Sequence, residues 1–203
     1  MPSALVPAAG SASRFGGGKL AALVEGVPLL DRTIGALLDA GIGDVLVILP
    51  PQAPWTGEIH TLTDPRVRTT RNPDPSRGMF SSIQIGFQDF ESGPVAVLPG
   101  DMPFVRAETV KTIVATAVRT GGIVSPRFQG RRGHPIVIPG DLRETILSAP
   151  ADAMLNDVLR SHSARFVNID VDDKGVLRDV DVKEDLMGSE RVGGFAGAEP
   201  PEE

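Results

Sequence analysis

PLLDRTIGALLDAGIGDVLVILPP, residues Pro28 to Pro51, carries two periodicities in sequence. Leu30, Ile34, Leu37 and Leu38 recur at helical spacing, which predicts an amphipathic helix over Pro28–Ala40 with Gly41 as its stop. Asp44–Leu49 (DVLVIL) is apolar without alternation, the mark of a strand buried on both faces, and Pro50-Pro51 closes it. A helix delivering the chain into a fully buried strand belongs to a mostly parallel sheet covered by helices.

The same rhythm extends in both directions. Ala4-Leu5-Val6 is a short buried strand ended by Pro7 and Gly10. Downstream, a short helix is expected near Gly57, a strand over Val67–Thr70, a helix over Met79–Phe90 and a buried strand over Val95–Leu98. A helix over Glu108–Arg119 follows, with Val110, Ile113, Val114 and Ala117 facing inward. Ile123–Pro126 and Pro135–Ile138 are expected to pair around a basic loop, and short helices follow near Asp141–Leu147 and Met154–Ser161. Phe166–Val171 and Val176–Val180 are expected as the last strands. The fold class is therefore α/β with helices on both faces of the sheet.

The chain has 203 residues, enough for one domain, expected over 1–187. From Gly188 to Glu203 the composition turns to Gly, Ala, Glu and Pro, which predicts a disordered tail. A net charge of −6 argues against a nucleic-acid partner. There is no cysteine, so disulfides, thiolate metal sites and cysteine nucleophiles are excluded together. Without a signal-like N-terminus or a long apolar run, the chain reads as cytosolic, with no membrane partner.

Three stretches carry candidate chemistry. The first is Val6–Leu20 (VPAAGSASRFGGGKL). As a Walker A loop it fails, because Leu20 follows Lys19 where a hydroxyl is needed and Ser13 stands in the first glycine position. As a dinucleotide fingerprint, Gly16-Gly17-Gly18-Lys19-Leu20-Ala21 lies too far beyond the strand. What remains is a backbone that can approach a ligand at Ala8-Ala9-Gly10, with Arg14 and Lys19 as cations suited to a triphosphate. A solvated surface loop accounts for the same letters. The second stretch, Pro99-Gly100-Asp101-Met102-Pro103, puts a carboxylate just past a buried strand. There Asp101 is a candidate Mg²⁺ ligand or a turn residue satisfying backbone donors. The third, Gly130-Arg131-Arg132-Gly133-His134-Pro135, is either an anion-seeking loop or a hairpin tip with solvated arginines. Ser81 and Ser82 read as helix-capping residues, and His60 and His162 as surface or helix histidines without zinc-ligand spacing.

In order, these stretches resemble the MobA-like NTP transferase family, the nucleotidyltransferases that mature molybdenum cofactor. Ala8, Ala9, Gly10, Arg14, Gly16 and Lys19 match its A-A-G-x-x-x-R-x-G-x-x-K signature, and Gly78–Ile83 (GMFSSI) is similar to G-M-S-S-S-L with Phe80 replacing a serine. Pro99–Pro103 resembles L-G-D-M-P, and Arg132–Pro135 resembles R-G-H-P. Asp179–Leu186 (DVDVKEDL) resembles D-I-D-T-P-E-D-L, with Val182 and Lys183 departing. Pro7-Ala8-Ala9-Gly10 and Gly78–Ser82 side with the cytidylyl rather than the guanylyl branch.

The resemblance implies a Rossmann-like three-layer nucleotidyltransferase fold. It implies transfer of CMP from CTP to a phosphorylated acceptor such as molybdopterin, with Mg²⁺ as cofactor, pyrophosphate as product and a molybdoenzyme apoprotein as recipient of the product. Carried over, Arg14, Lys19 and Asp101 are catalytic, and Asp101 and Asp181 hold the metal. Pro7, Ala8, Ala9, Gly10, Gly78, Ser81 and Ser82 join Arg14 and Lys19 around the nucleotide, while Arg132, Gly133, His134 and Pro135 face the acceptor. Rival readings are a guanylyl or sugar-, polyol- or lactate-phosphate nucleotidyltransferase, a non-catalytic cofactor-binding chaperone, and an NAD(P)-dependent oxidoreductase.

Overall fold

A computed structural model describes residues 2–10, 18–150 and 152–180. Arg14, Gly16, Asp181, Val182, Lys183 and the expected tail lie outside the described residues.

Strand β1 (Ser3–Pro7) leads through a small hairpin of β2 (Leu23–Val24) and β3 (Val27–Pro28) into helix α1 (Leu29–Asp39). Leu30, Ile34, Leu37 and Leu38, the stripe read from the sequence, are all buried. β4 (Val45–Leu49) and β5 (Val67–Arg71) follow, separated by two 3₁₀ turns, Pro54–Glu58 and His60–Thr63, where one short helix was expected. Next come α2 (Met79–Asp89), β6 (Val95–Val97), α3 (Ala107–Thr120) and β7 (Ile123–Phe128). β8 (Arg131–Arg132), β9 (Ile136–Ile138), α4 (Arg143–Ser148), α5 (Leu155–Arg160) and β10 (Phe166–Asp170) complete the order.

The strands form one eight-stranded sheet in the order β10-β7-β9-β6-β1-β4-β5, with β8 hairpinned onto β7. β1 is parallel to both β4 and β6, β4 to β5, and β10 to β7. β9 runs antiparallel between β6 and β7, and β8 runs antiparallel to β7.

Two apolar clusters show the three layers. Side chains alternate across the sheet with period two: Ala4, Val6, Val45, Val47 and Leu49 join one cluster, while Leu5, Leu46 and Ile48 join the other. The first cluster includes Leu30, Ile34 and Leu37 of α1 with Val110 and Ile113 of α3; the second includes Phe80, Ile83 and Phe87 of α2 with Ile146 and Leu159 from α4 and α5. Among the described residues no helix is long and apolar enough to cross a membrane.

One expected strand does not form. Lys174–Leu177 is a 3₁₀ turn, and the chain from there to Val180 joins no sheet. The cause is the Asp173 carboxylate, which is buried and accepts from the Gly175 and Arg106 backbone N–H groups and from Thr109 Oγ1. These bonds curl the backbone locally and compete with a ladder.

Candidate active site

The parallel core creates a switch point. From β1 the chain moves outward to β4 and β5, then crosses back through α2 to β6 on the other side of β1. Loops leaving the carboxyl ends of β1 and β6 therefore diverge, and a crevice opens between them, the location where open α/β sheets bind ligands. A cleft of about 710 Å³ lies there, within the range of small-molecule sites. Its walls come from Pro7–Gly10 at the end of β1, Pro50 and Gln52 after β4, Pro75, Ser76, Gly78, Met79 and Ser82 around the start of α2, and Pro99 and Asp101 after β6.

The backbone at the cleft floor is fixed by the sheet. Ala8 N–H donates to the Ile48 carbonyl at 2.9 Å, and Gly100 N–H donates to the Pro7 carbonyl at 2.9 Å. Thr33 of α1 donates through Oγ1 to the Gly100 carbonyl at 3.1 Å, bracing the turn that presents Asp101. Ala8 and Ala9 are buried and line the cleft.

Lys19 and Asp101 carry the charge among the described lining residues. Lys19 begins a 3₁₀ turn, Lys19–Ala21, after Gly18 in the left-handed conformation (φ 67°). Its Nζ lies 2.9 Å from Asp101 Oδ2, 82 residues away in sequence. The Lys19 side chain is 12% exposed and that of Asp101 29%, so the pair is partly desolvated yet open to the cleft. Trp55 and Leu20 line the same wall, and Trp55 packs against the core cluster that includes Leu20.

The cluster at the start of α2 differs from the expected cap. Gly78 is the N-cap residue, and no side chain caps the helix. Ser81 and Ser82 are buried instead, and Asn72 Nδ2 donates to Ser81 Oγ at 2.8 Å and to Ser82 Oγ at 3.0 Å. Ser82 reaches the cleft wall while Ser81 Oγ turns back to donate to the Gly78 carbonyl at 2.7 Å.

The structure thus brings together Pro7, Ala8, Ala9, Gly10, Lys19, Gly78, Ser82 and Asp101 around one cleft. It does not bring Arg132, Gly133, His134 or Pro135 to that wall. Arg132 lies over the Phe166 ring, 4.6 Å from its centroid. His134 is buried, its N–H donates to the Val176 carbonyl at 2.9 Å, and burial pushes its imidazole pKa down to about 4. Neither His60 nor His162 reaches the cleft lining; His60 Nδ1 lies 3.1 Å from Asp31 Oδ2. Asp31 is buried, but hydrogen bonds from Thr61 and His60 outweigh that burial and hold its pKa below the ordinary value. Thr33, Trp55 and Asn72 were missed by the sequence reading, because their roles depend on tertiary neighbours.

A divalent cation can be tested against this donor set. Asp101 offers a hard carboxylate oxygen at the mouth of the cleft, suited to Mg²⁺ or Mn²⁺. Among the described residues no group of three His, Cys, Asp or Glu side chains could form a protein-only cage. The set fits a cation held by one or two carboxylates together with ligand phosphates, the usual arrangement for magnesium. The described chain also ends beside this position, since Val180 N–H donates to the Asp101 carbonyl at 3.0 Å.

Comparison with curated protein sequences yields no significant match. Solved structures with a similar fold include a nucleotidyl transferase from Methanothermobacter thermautotrophicus, 21% identical, with 92% of this chain and 94% of that chain covered and a TM-score of 0.73. Rv0371c from Mycobacterium tuberculosis H37Rv, solved in complex with manganese, is 19% identical, with 92% and 96% covered and a TM-score of 0.70. CMP:2-keto-3-deoxy-manno-octonic acid synthetase, solved in complex with CTP, is 15% identical, with 92% and 95% covered and a TM-score of 0.68. At these identities the likeness establishes a shared fold. The family model for the MobA-like NTP transferase domain matches residues 4–166, and the chain accordingly belongs to this family of nucleotidyltransferases.

Proposed function

We propose that the protein transfers CMP from CTP to a phosphorylated small-molecule acceptor and releases pyrophosphate. The observation that carries this reading is the Lys19–Asp101 pair at the sheet's switch point, one cation and one carboxylate on the wall of a cleft with a closely packed backbone floor. Lys19 neutralises triphosphate oxygens, and Asp101 together with Asp181 would hold Mg²⁺. The bound cation would supply charge neutralisation at the phosphates. Arg14 supplies a second phosphate donor from the same glycine-rich stretch. Ala8 and Ala9 favour the smaller pyrimidine base.

In the reaction, an acceptor phosphate oxygen bonds to the α-phosphorus while the bond from that phosphorus to the bridging oxygen of the β-phosphate breaks, and pyrophosphate departs. A phosphate monoester is largely ionised near neutral pH, its second pKa being about 6, so no strong general base is required. Alignment and preorganised charge then supply most of the acceleration.

The acceptor we propose is the phosphorylated pterin of molybdenum cofactor, a reading supported by the order of the five sequence motifs. In this proposal Arg132–Pro135 act from outside the cleft lining, through the C-terminal segment that their backbone contacts support. A pyrophosphate-release assay across four nucleoside triphosphates, with pterin, sugar and polyol phosphates as acceptors, tests both parts. CTP-dependent release with the pterin is expected. Equal or faster release with GTP contradicts the cytidylyl reading, and release with a sugar or polyol phosphate alone contradicts the acceptor.

A further inference from the structure

Asn72 lies one residue beyond β5, is 2% exposed, and is anchored by its own N–H donating to the Leu49 carbonyl at 2.8 Å. The orientation of its side-chain amide is dictated by its neighbours. Asp74 N–H can only donate, and it donates to Asn72 Oδ1 at 3.0 Å, so Nδ2 must face the two serines. Nδ2 has two protons and gives one to each, Ser81 Oγ and Ser82 Oγ. The proton of Ser81 is then taken by the Gly78 carbonyl.

Ser82 is different. Its oxygen accepts from Asn72, it is 3% exposed, and it borders the cleft. Among the described residues no group accepts its proton. A ligand atom that accepts completes this hydroxyl, whereas a ligand N–H placed there leaves a buried O–H unpaired, at a cost that discriminates strongly.

We infer that Asn72 determines base preference by holding Ser82 as a hydrogen-bond donor into the cleft, so that the site selects cytosine, whose N3 accepts, over uracil, whose N3–H donates. Asn72 is a positioning residue here, acting through Ser82. This inference rests on the proposed nucleotide reading of the cleft.

The test is the ratio of dissociation constants for CTP and UTP, measured by calorimetry with Mg²⁺ on the wild-type protein and two variants. Wild type is expected to favour CTP at least tenfold. Asn72→Asp puts an acceptor where the amide donor stood, so Ser82 donates to it and turns lone pairs toward the cleft. The preference should fall at least tenfold or reverse. Ser82→Ala, which removes the donor without an added charge, should bring the ratio toward one while triphosphate binding persists, and it decides the matter if Asn72→Asp does not fold. Loss of packing alone would weaken both nucleotides together and leave the ratio unchanged. Equal wild-type affinities, or a ratio unaltered in the folded variants, overturn the role of Asn72 alone. Failure of the wild-type protein to bind any triphosphate overturns the nucleotide reading itself and this inference with it.

Discussion

Two parts of this molecule carry the same kind of letters, glycines beside cations, and fold to different ends. Around the cleft, Gly18 takes a left-handed conformation with no atom of the described residues within 4 Å of where a Cβ would stand, and Lys19 next to it faces Asp101. At the hairpin of β7 and β8, Gln129 and Gly130 make the turn with positive φ, and Arg131 and Arg132 are exposed. Immediately after it, Gly133 is pressed against the chain: a Cβ there would lie 2.2 Å from the Val176 carbonyl oxygen. Gly175, in the 3₁₀ turn, is pressed in the same way against the Phe104 carbonyl oxygen. Gly18 stands clear of its described neighbours, whereas Gly133 and Gly175 let backbones touch. Composition does not separate these cases; the space around the missing Cβ does.

The largest effect is expected in the cleft. Asp101→Asn retains shape and some hydrogen bonding but loses the charge opposite Lys19 and toward a cation. Turnover should fall on the order of 10²–10³-fold, the usual consequence of removing a preorganised electrostatic group. Thermal stability without ligand should move by about 1 kcal/mol or less, as for a partly exposed ion pair. Retained turnover in a destabilised protein would instead make Asp101 a turn residue.

Next come the two glycines. Gly133→Ala forces the Val176 backbone aside and should destabilise the fold by about 3 kcal/mol, as overpacking against an unyielding neighbour does. Gly18→Ala meets no steric obstacle among the described residues and should cost only the left-handed conformation, about 1 kcal/mol. Urea denaturation of both variants checks the order, and equal losses would erase the contrast between the two regions.

Legibility from sequence follows the same division. α1, α3 and β4 were readable because apolar spacing alone fixes which face is buried, as Leu30, Ile34 and Leu37 or the all-apolar run Val45–Leu49 show. Of the cleft lining, Ala8, Ala9, Gly10 and Asp101 were readable because they sit where strands end, and Lys19 because it is a cation in a glycine-rich stretch. Thr33 was not, because its partner carbonyl at Gly100 is 67 residues distant. Val176–Val180 misled because Val176, Leu177 and Val180 suit a strand, while Asp173 outside that window captures the backbone N–H of Gly175. His134 was open to a ligand-facing reading from its letters, since burial depends on Val176 and other distant neighbours.

That burial gives a pH prediction for the hairpin side. The ordinary histidine pKa is 6.5 and burial lowers that of His134 to about 4. Between these values the unfolded chain binds a proton that the folded one refuses, so stability falls as pH drops from 6.5 toward 4. The loss from this group approaches about 3 kcal/mol at the lower end. His134→Gln should flatten that part of the stability profile in denaturant titrations at stepped pH. An unchanged slope would mean that His134 accepts its proton in the folded state.

The central claim is that the nucleotide occupies the cleft between β1, β4 and β6 and not the basic edge at Arg131–Arg132. Trp55 is the single tryptophan of the chain and stands on the cleft wall, so its emission reports occupancy there. Titration with CTP and Mg²⁺ should change that emission saturably. Lys19→Ala should weaken the apparent affinity at least tenfold, and Arg132→Ala should leave it within about twofold, as distinct electrostatic contacts and none would do. Binding detected by calorimetry with no change at Trp55, or lost with Arg132→Ala and kept with Lys19→Ala, would contradict it.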